Sequence, residues 1–348
     1  MSTGSDNLAI GVIGLGIIGR QHVERFTAAD TPVSLAGVFD TNAALVQEFA
    51  RTHDVPGVSS VEELLALEDM DAVVIAVPSG LHRDLTIAAL QAGKHVLLEK
   101  PIDISVAAAD EILQAARTSG KVLSVVSQRR FAPANQYIKQ LIDDGGLGRI
   151  TSAAIEVPLW RTQEYYDSAG WRGTWAMDGG GALMNQGVHL VDLALWLLGD
   201  VEEVYAHTGL LAHERIEVED TVTITARLQS GAFMTFLATT AAHSPPQIRV
   251  NIMGDRGTIV TVKEEVTHFQ TVDGAQEPDL EVLPLEESEL SETEHLQHRQ
   301  LLDFVQAVRN DAPALVTPEQ ARNAVAFIEA VYESGRTGQP VRPAPLPQ

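Results

Sequence analysis

Between residues 8 and 126, short apolar runs alternate with segments in which apolar residues recur at helical spacing. "LAIGVIG" precedes a helical pattern from Ile17 to about Ala29, and "SLAGVFD" precedes "NAALVQEFARTHD". Strands that alternate with helices build parallel sheets, and strands covered on both faces are apolar throughout. We therefore predict an α/β domain with a parallel sheet over residues 1–126.

After about residue 150 the pattern changes, because strand-like segments now follow one another. Short turns such as "QSG" and "GDRG" join several of them, which indicates a mainly antiparallel sheet. A helix precedes most of these strands, so residues 127–290 are predicted to form an α+β domain. Residues 291–348 are predicted to form two helices that pack back toward the first domain, and Ser291 with Glu294 is a plausible capping box for the first.

Composition limits the function classes. The chain has 348 residues and no cysteine, which excludes disulfides, and it lacks an apolar run of the roughly 18 residues that span a bilayer. Its start shows no signal-peptide pattern, so we expect a cytoplasmic protein without a membrane partner. A net charge of −23 would repel a phosphate backbone, so we expect no nucleic-acid partner.

The stretch "GLGIIG" has the G-x-G-x-x-G order of a dinucleotide-binding turn. It follows an apolar strand and opens a helix, which is the required context. The first glycine permits the tight turn, and the second lets the backbone approach a pyrophosphate at the helix N-terminus. The predicted cofactor-binding residues of this turn are Gly14, Gly16, Ile17, Ile18 and Gly19.

Asp40 ends the next strand, 21 residues after Gly19. A carboxylate at that place can accept hydrogen bonds from the adenosine ribose hydroxyls. It would also repel a ribose phosphate, and "DTNAA" supplies no adjacent arginine to bind one. We therefore predict NAD, in preference to NADP, as the cofactor.

Two further motifs carry polar side chains. "LLEKPID" ends an apolar run that we number as the fifth strand, which places Glu99, Lys100 and Pro101 at the ligand-binding edge of the sheet. "DGGGALMNQGVHLVDLALWLLGD" predicts a helix that is apolar nearly all round. At 100° per residue, Asn185, His189, Asp192 and Trp196 fall on one narrow stripe, which we interpret as facing a cleft. The preceding glycines are interpreted as giving a close-packed entry into the helix, where side chains would obstruct the cofactor or substrate.

With these motifs the sequence resembles the glucose–fructose oxidoreductase, inositol dehydrogenase and rhizopine-catabolism family of NAD(P)-dependent oxidoreductases. The matching stretches are "GVIGLGIIG", "VPSGLH", "EKP", "GGGALMNQGVHLVD" and "VYESGRTGQPV". The resemblance implies a Rossmann domain and a second domain with a large, open-faced sheet. It also implies hydride transfer between nicotinamide and a sugar or cyclitol hydroxyl, and a homodimer or homotetramer formed through that sheet.

The resemblance also implies roles for single residues. Lys100 matches the active-site lysine of the family, His189 its catalytic histidine, and Asp192 the acid that follows it. Glu99 matches a residue near the nicotinamide ribose. Pro78, Ser79 and His82 match a loop beside the cofactor. No metal is expected, because hydride transfer needs no Lewis acid when a lysine can polarise the oxygen.

Asn185 stands where many inositol-type members have aspartate. The motif "ALMNQG-x-H" resembles members that oxidise nucleotide-linked sugars or glycosides at the 3-hydroxyl. In the expected mechanism His189 accepts the hydroxyl proton, Lys100 stabilises the alkoxide and Asn185 holds a neighbouring hydroxyl. Which of Lys100 and His189 takes the proton stays open, because their pKa values would be coupled.

The stretch "WRTQEYYDSAGWRGTW", residues 160–175, is a candidate substrate loop because aromatic faces stack on sugar rings and guanidinium groups bind polar substituents. Its candidate substrate-binding residues are Arg161, Tyr166, Trp171 and Arg172. Arg129 and Arg130 in "SQRRF", placed after the sixth strand, are either substrate ligands or partners in an interdomain ion pair.

Three functions remain open besides a sugar 3-dehydrogenase. The first is an inositol dehydrogenase. The second is an NAD-dependent glycosidase that oxidises carbon 3 transiently. The third is a non-catalytic NAD-binding regulator, which would need neither Lys100 nor His189.

Overall fold

The computed structural model describes residues 7–26, 31–244, 246–275, 280 and 291–347. By their contacts, these described residues divide into two units. Unit 1 comprises the described residues up to Asp103, together with Ala107–Val126 and His298–Glu319. Unit 2 comprises the described residues of Ile104–Val106, Ser127–Gln297 and Gln320–Gln348.

Unit 1 is built on a parallel sheet. Within the described residues its strands are β1 (Leu8–Ile13), β2 (Val33–Phe39), β3 (Ala72–Ile75), β4 (His95–Leu98) and β5 (Leu123–Val125). The strand order is β2-β1-β3-β4-β5, and every neighbouring pair is parallel. All of β3 is buried, as expected for a strand covered on both faces. The predicted α/β domain is confirmed, and the order changes direction between β1 and β3, where such sheets bind ligands.

The helices of this part of the chain lie between its strands. They are α1 (Ile17–Phe26), α2 (Ala43–His53), α3 (Val61–Leu65), α4 (His82–Gln91) and α5 (Val106–Ser119). The Asn42 side chain caps α2 by accepting from the backbone N–H groups of Ala44 and Leu45. The helix predicted to run to about Ala29 is described as far as Phe26, and residues 27–30 lie outside the described residues.

The strand numbering of two motifs needs correction. "LLEKPID" follows β4 and not a fifth strand, because only four strands of the described sheet precede it. "SQRRF" likewise follows β5. The predicted location of both motifs is unaffected. Each motif follows the carboxyl end of a parallel strand and therefore lies at the ligand-binding edge of the sheet.

Unit 2 contains a second sheet. Its strands in the described residues are β6 (Ile150–Pro158), β7 (Val201–Gly209), β8 (Thr221–Leu228), β9 (Phe233–Thr239), β10 (Arg249–Gly254), β11 (Gly257–Val262) and β12 (Glu265–Thr271). Their order is β12-β11-β10-β6-β9-β8-β7, in which only the β6–β9 pair is parallel. The predicted mainly antiparallel sheet is confirmed. The sequence analysis missed β12, an edge strand that is largely exposed.

One face of this sheet is buried and the other is open, which confirms the open-faced sheet. In β8, Val222, Ile224 and Ala226 are buried, whereas Thr223 and Thr225 alternate with them and are exposed. The period of two follows from the strand pleat. A helical segment from Ala182 to Leu198 packs on the buried face against β6, β8 and β9.

The remaining helices are α6 (Pro133–Asp143), α7 (Gln163–Asp167), α8 (Val188–Leu198), α9 (Glu292–Asn310) and α10 (Pro318–Thr337). The capping box before α9 forms, because Ser291 N–H donates to Glu294 Oε2 at 2.8 Å and Glu294 N–H to Ser291 Oγ at 3.4 Å. No helix of the described residues is long and apolar enough to cross a membrane.

The last two helices do not share one unit, contrary to their predicted common packing against the first domain. Leu301, Phe304 and Val305 of α9 join the core cluster that contains β1. Helix α10 belongs to unit 2, where its Ser334 Oγ accepts a hydrogen bond of 3.0 Å from Ala206 N–H of β7. This bond attaches the last helix to the edge strand of the second sheet.

Candidate active site

The glycine turn after β1 is shaped for a ligand. Gly14 has a φ of +94°, and a Cβ on it would lie 2.4 Å from the carbonyl oxygen of Ala76. A Cβ on Gly19 would lie 1.8 Å from the Gly14 carbonyl oxygen, so α1 can approach β1 only with glycine there. In contrast, a Cβ on Gly16 would meet no described atom within 4 Å. Gly16 therefore faces open space, where a pyrophosphate can approach the backbone.

The N-terminus of α1 and Asp40 complete this half of the site. Ile17 is 70% exposed, so the first turn of α1, with its unsatisfied N–H groups, is accessible. Asp40 Oδ2 accepts from Leu15 N–H at 2.7 Å, and Oδ1 accepts from Asn42 N–H at 2.8 Å. These bonds hold a partly exposed carboxylate at the end of β2. The residues present therefore fit a dinucleotide.

The side chain of His82 is turned into the protein. Its side chain is fully buried, with Nδ1 at 2.7 Å from the Pro101 carbonyl oxygen and Nε2 at 3.0 Å from that of Val77. Burial lowers the pKa of His82, while the two carbonyl groups act in the opposite direction. His82 therefore ties the loop after β3 to the turn after β4. At the start of that loop, Pro78 is half-buried and Ser79 is buried.

Glu99 is also turned inward. Its Oε1 lies 2.9 Å from His22 Nε2 of α1, and its Oε2 accepts from Lys100 N–H at 3.3 Å. Burial alone would raise the pKa of Glu99, but the hydrogen bond and charge of His22 outweigh it and hold that pKa below its usual value. Glu99 therefore fixes the backbone of the Lys100 turn against α1. Lys100 itself is partly exposed, and the Lys100–Pro101 bond is cis.

The helix that carries His189 is not α-helical throughout. Ala182–Gly187 is a π-helix, with i→i+5 bonding, and α8 continues from Val188. The predicted stripe assumed a single α-helical period, so its angles across Asn185 and His189 are wrong. Both side chains are nonetheless partly exposed, whereas most of the helix is buried. Short π segments occur frequently at functional sites.

Asp192 does not face a cleft, contrary to the prediction. It is 5% exposed and accepts from Arg130 through Nε at 2.7 Å and Nη2 at 2.6 Å, and from the Ser127 hydroxyl. Arg130 is 1% exposed, also donates to Gln320, and stacks on Trp196. Arg130 is therefore a buried partner of Asp192 within unit 2, and its interpretation as a substrate ligand is wrong.

The three glycines before the π-helix are required by the protein itself. A Cβ on Gly180 would lie 2.0 Å from Tyr332 Oη, and one on Gly181 would lie 1.9 Å from the carbonyl oxygen of Glu219. The predicted close-packed entry into the helix is therefore confirmed, but a side chain on these two would obstruct protein atoms and not a ligand. Gly179 is similarly close to Ile104, at 2.5 Å.

A buried carboxylate that the sequence analysis missed caps this helix. Glu219 accepts from Gly181 N–H at 3.0 Å, Leu183 N–H at 2.8 Å and the Tyr332 hydroxyl at 3.1 Å. Burial raises the pKa of Glu219, although these N–H bonds oppose the shift. A negative group at a helix N-terminus also interacts favourably with the helix dipole. Nothing in the local sequence distinguishes Glu219 from a surface glutamate.

The amide of Asn185 is held by two neighbours. Its Nδ2 donates to the buried carboxylate of Asp178, whose other oxygen accepts from Gly173 N–H at 2.8 Å. Its Oδ1 accepts from Gln186 Nε2 at 2.9 Å. The sequence analysis named neither Asp178 nor Gln186, although both lie within the quoted helix motif. Asn185 therefore presents a neutral amide in a defined orientation.

The aromatic window 160–175 divides into core and surface. Tyr166 is buried, its hydroxyl lies 2.9 Å from Thr240 Oγ1, and burial raises its pKa to about 12. Tyr166 is therefore a core residue, and its prediction as a substrate ligand is wrong. The partly exposed neighbour Tyr165 contacts Arg161 and Arg172, and Arg172 also contacts Trp171. Arg129 pairs with Glu264 instead.

The fold and these residues define a class of protein. A glycine turn between β1 and α1, with a carboxylate at the end of β2, is the binding site of a dinucleotide in a Rossmann domain. A second unit with an open-faced sheet carries a helical segment on which the amide of Asn185 and the imidazole of His189 are partly exposed. This combination is that of a nicotinamide-dependent oxidoreductase.

Comparison with known proteins identifies the family. Residues 8–127 match the family model of the oxidoreductase family with an NAD-binding Rossmann fold, and residues 135–260 match that of the GFO/IDH/MocA C-terminal domain. The chain belongs to the GFO/IDH/MocA family of oxidoreductases, which confirms the resemblance. It is an NAD-dependent enzyme that acts on sugars or polyols.

Similar proteins span nearly the whole chain. The WlbA dehydrogenase of Bordetella pertussis, crystallised with NADH and UDP-GlcNAcA, is 31% identical with a TM-score of 0.86, covering 98% of this chain and 100% of its own. The 1,5-anhydro-D-fructose reductase of Ensifer adhaerens is 30% identical over 94% of this chain and 96% of its own. The scyllo-inositol 2-dehydrogenase of Bacillus subtilis (strain 168) is 26% identical, with 95% of each chain covered.

Proposed function

We propose that this enzyme oxidises a ring hydroxyl of a sugar, namely the 3-hydroxyl of a nucleotide sugar or glycoside. The observation that carries the proposal is the neutral amide of Asn185, which Asp178 and Gln186 orient one turn before His189. An amide both donates to and accepts from a sugar hydroxyl without adding a charge. The 31% identical dehydrogenase crystallised with UDP-GlcNAcA supports a nucleotide sugar in particular.

The cofactor would be held by the residues of unit 1. The backbone from Gly14 to Gly19, including the N–H groups of Ile17 and Ile18, would bind the pyrophosphate, and Asp40 would accept from the ribose hydroxyls. Pro78 and Ser79 would border the cofactor. His82 and Glu99 would not contact it but would hold the loops after β3 and β4 in position. When bound, NAD supplies the acceptor for the hydride that leaves the substrate carbon.

His189 and Lys100 keep the roles that the resemblance implies. His189 would accept the proton of the reacting hydroxyl, since an imidazole titrates near neutral pH. Lys100 would donate a hydrogen bond to the same oxygen and stabilise its developing negative charge. Substituting each by alanine should lower kcat by about 10²–10⁴-fold. Lys139→Ala and His268→Ala, at the surface of unit 2, are the matched controls and should retain wild-type turnover.

A substrate panel tests the proposal. Inositols, free hexoses, glycosides and UDP-sugars are each incubated with the enzyme and NAD, and NADH is followed by absorbance. We expect the highest kcat/KM with a UDP-sugar or a glycoside, and a 3-keto product by NMR. A highest kcat/KM with a free inositol would contradict the role given to Asn185. Cleavage of a glycoside without net NADH would contradict net oxidation.

A further inference from the structure

Two arginines of unit 2 converge on one aromatic ring. The guanidinium carbon of Arg161 lies 5.1 Å from the ring centroid of Tyr165, and that of Arg172 lies 4.3 Å from the same centroid. Arg172 is also 4.6 Å from the centroid of Trp171. Stacking on aromatic faces orients a guanidinium while leaving its N–H edge directed elsewhere. We call Arg161 and Arg172 the arginine pair.

Neither member of the arginine pair has a carboxylate within 4 Å among the described residues. Arg161 donates to two neutral oxygens instead, at 3.4 Å to the carbonyl of Trp160 and at 2.7 Å to Gln186 Oε1. The side chain of Arg172 makes no hydrogen bond within the same part of the chain, and its Nε is buried. The Nε of Arg161 is buried without a hydrogen bond as well.

The neutral partners of the arginine pair contrast with the ion pairs that other arginines of unit 2 form. The whole chain has 47 acidic residues for 24 lysines and arginines, so carboxylates are abundant. Elsewhere in unit 2, Arg129 pairs with Glu264, Arg130 with Asp192 and Arg215 with Asp167. Partly burying a cation without a counter-charge costs free energy, and a bound anion would offset that cost. The arginine pair is therefore a local positive site on an acidic protein.

The arginine pair is linked by hydrogen bonds to the residue proposed to recognise the sugar. Gln186 accepts from Arg161 Nη2 at 2.7 Å, and its own Nε2 donates to Asn185 Oδ1 at 2.9 Å. The same nitrogen donates to the Tyr165 hydroxyl at 3.1 Å. A substrate group bound at the arginine pair would therefore be attached to a sugar that reaches Asn185.

We infer that the substrate carries an anionic group, a carboxylate or a phosphate, and that Arg161 and Arg172 bind it. The inference rests on the proposed function, in which it narrows nucleotide sugars and glycosides to substrates whose carboxylate or phosphate contacts these two arginines. Both groups present two or more oxygens to a guanidinium, which binds them through a planar fork. Arg172, whose guanidinium N–H groups have no described acceptor, is the principal ligand, and Arg161 adds charge beside Asn185.

The first test compares sugars that share one ring and differ in charge. Glucose, glucuronate, glucose 1-phosphate and UDP-glucose are titrated calorimetrically into the wild-type protein saturated with NADH, and kcat/KM is measured with NAD. We expect at least one anionic member to bind about tenfold or more tightly than glucose, since hydrogen bonds to charged groups are the stronger ones. Tighter binding of glucuronate identifies a carboxylate, and tighter binding of the phosphates identifies a phosphate.

The second test removes the positive charge of Arg172. Arg172→Gln should abolish the preference for the anionic sugar, and Arg172→Lys should retain part of that preference. Arg215→Gln is the matched control, since Arg215 is an exposed arginine of unit 2 with its own carboxylates. Melting temperatures show whether each variant is folded, and the wild-type titration decides the question if Arg172→Gln is not.

The outcomes separate this inference from the proposed function. Equal affinity and equal kcat/KM for neutral and anionic sugars, with NADH formed, overturn the inference and leave the function intact. An anion preference that depends on Arg172, without NADH formation from any sugar, supports the inference and overturns the proposed oxidation. A preference that persists in Arg172→Gln places the anion elsewhere and overturns the inference.

Discussion

Asp192 and Arg130 form a two-bond ion pair inside unit 2, with Nε and Nη2 at 2.7 and 2.6 Å from the two carboxylate oxygens. Asp192 lies three residues after His189, so this pair fixes the helix that carries the proposed base. Because a charge buried without its partner is costly, we expect Asp192→Asn to lower the free energy of unfolding by about 3–5 kcal/mol in urea titration. Asp167→Asn, at the exposed partner of Arg215, should change it little. A wild-type midpoint for Asp192→Asn would contradict a structural role for the pair.

Substitution of Gly16 is expected to weaken cofactor binding without changing the stability of the fold. An added methyl group would meet no described atom within 4 Å, so Gly16→Ala should leave the free energy of unfolding within about 0.5 kcal/mol of wild type. The same methyl group occupies the space that a pyrophosphate needs, and we expect NAD affinity to fall tenfold or more by calorimetry. Gly170→Ala, which is equally open, should change neither quantity. Undiminished NAD affinity in Gly16→Ala would place the cofactor elsewhere.

Asp40 is expected to set the choice between NAD and NADP. Asp40→Asn removes the charge that repels a ribose phosphate, while the amide oxygen still accepts from one backbone N–H. We expect the ratio of kcat/KM for NAD to that for NADP to fall by about tenfold, equivalent to roughly 1.4 kcal/mol. Asp71→Asn is the control, because Asp71 also accepts from a backbone N–H group, that of Ala9, at the opposite end of β1. An unchanged ratio would remove Asp40 from the cofactor site.

The pair of Glu99 and His22 predicts a pH dependence of stability. The pKa of Glu99 is held below its usual 4.5, so the unfolded chain takes up this proton first as the pH falls. The stabilisation is therefore complete above pH 4.5 and is lost as the pH falls through the folded-state pKa. We expect Glu99→Gln to be less stable than wild type by about 1–3 kcal/mol at pH 7, with the difference shrinking below pH 4.5. Urea titrations at pH 7, 5, 4 and 3 measure it, and a constant difference would refute the pairing.

Asn185→Asp introduces a second carboxylate against Asp178. Like charges disfavour ionisation, so the pKa of one carboxyl in the folded variant should rise above its unfolded value. The variant should then match wild type most closely below about pH 4 and lose relative stability as the pH rises toward 7. Asn323→Asp provides an exposed comparison, since Asn323 donates to Asp200 at the surface, where water screens the charges. An equal pH dependence of the two variants would show that Asp178 is not buried against Asn185.

The sequence was sufficient to predict the two sheets and the glycine turn, because both depend on local patterns. Apolar strands followed by helices predicted the parallel sheet, and the glycine spacing located the turn that Gly14 and Gly16 form. Strand β12 was missed because an exposed edge strand buries neither face and so shows no apolar alternation. The capping box of Ser291 and Glu294 was also predicted correctly, because it depends only on the spacing of two residues near each other in the sequence.

The candidate substrate-binding residues were predicted less completely, because their positions depend on contacts between segments that are far apart in the sequence. Asp192 was assigned to a cleft, although Arg130, 62 residues earlier, draws it into the core. Tyr166 and Tyr165 are adjacent and chemically alike, yet Thr240 holds the first in the core and two arginines contact the second. The three donors to Glu219 lie 36, 38 and 113 residues away in the sequence. Such partners are set by tertiary packing, which a single sequence does not display.

The π segment from Ala182 to Gly187 divides one continuous helix into two lengths with different angular phase. Each turn of the first length takes up more residues than a turn of α8, so the directions of its side chains are set independently of those that follow. Deleting one residue from this segment would convert it to α-helix. The Asn185 side chain would then rotate relative to α8, which the ion pair of Asp192 and Arg130 holds in the core. The π segment therefore sets the direction of the Asn185 side chain independently of the core contacts that hold α8 in place.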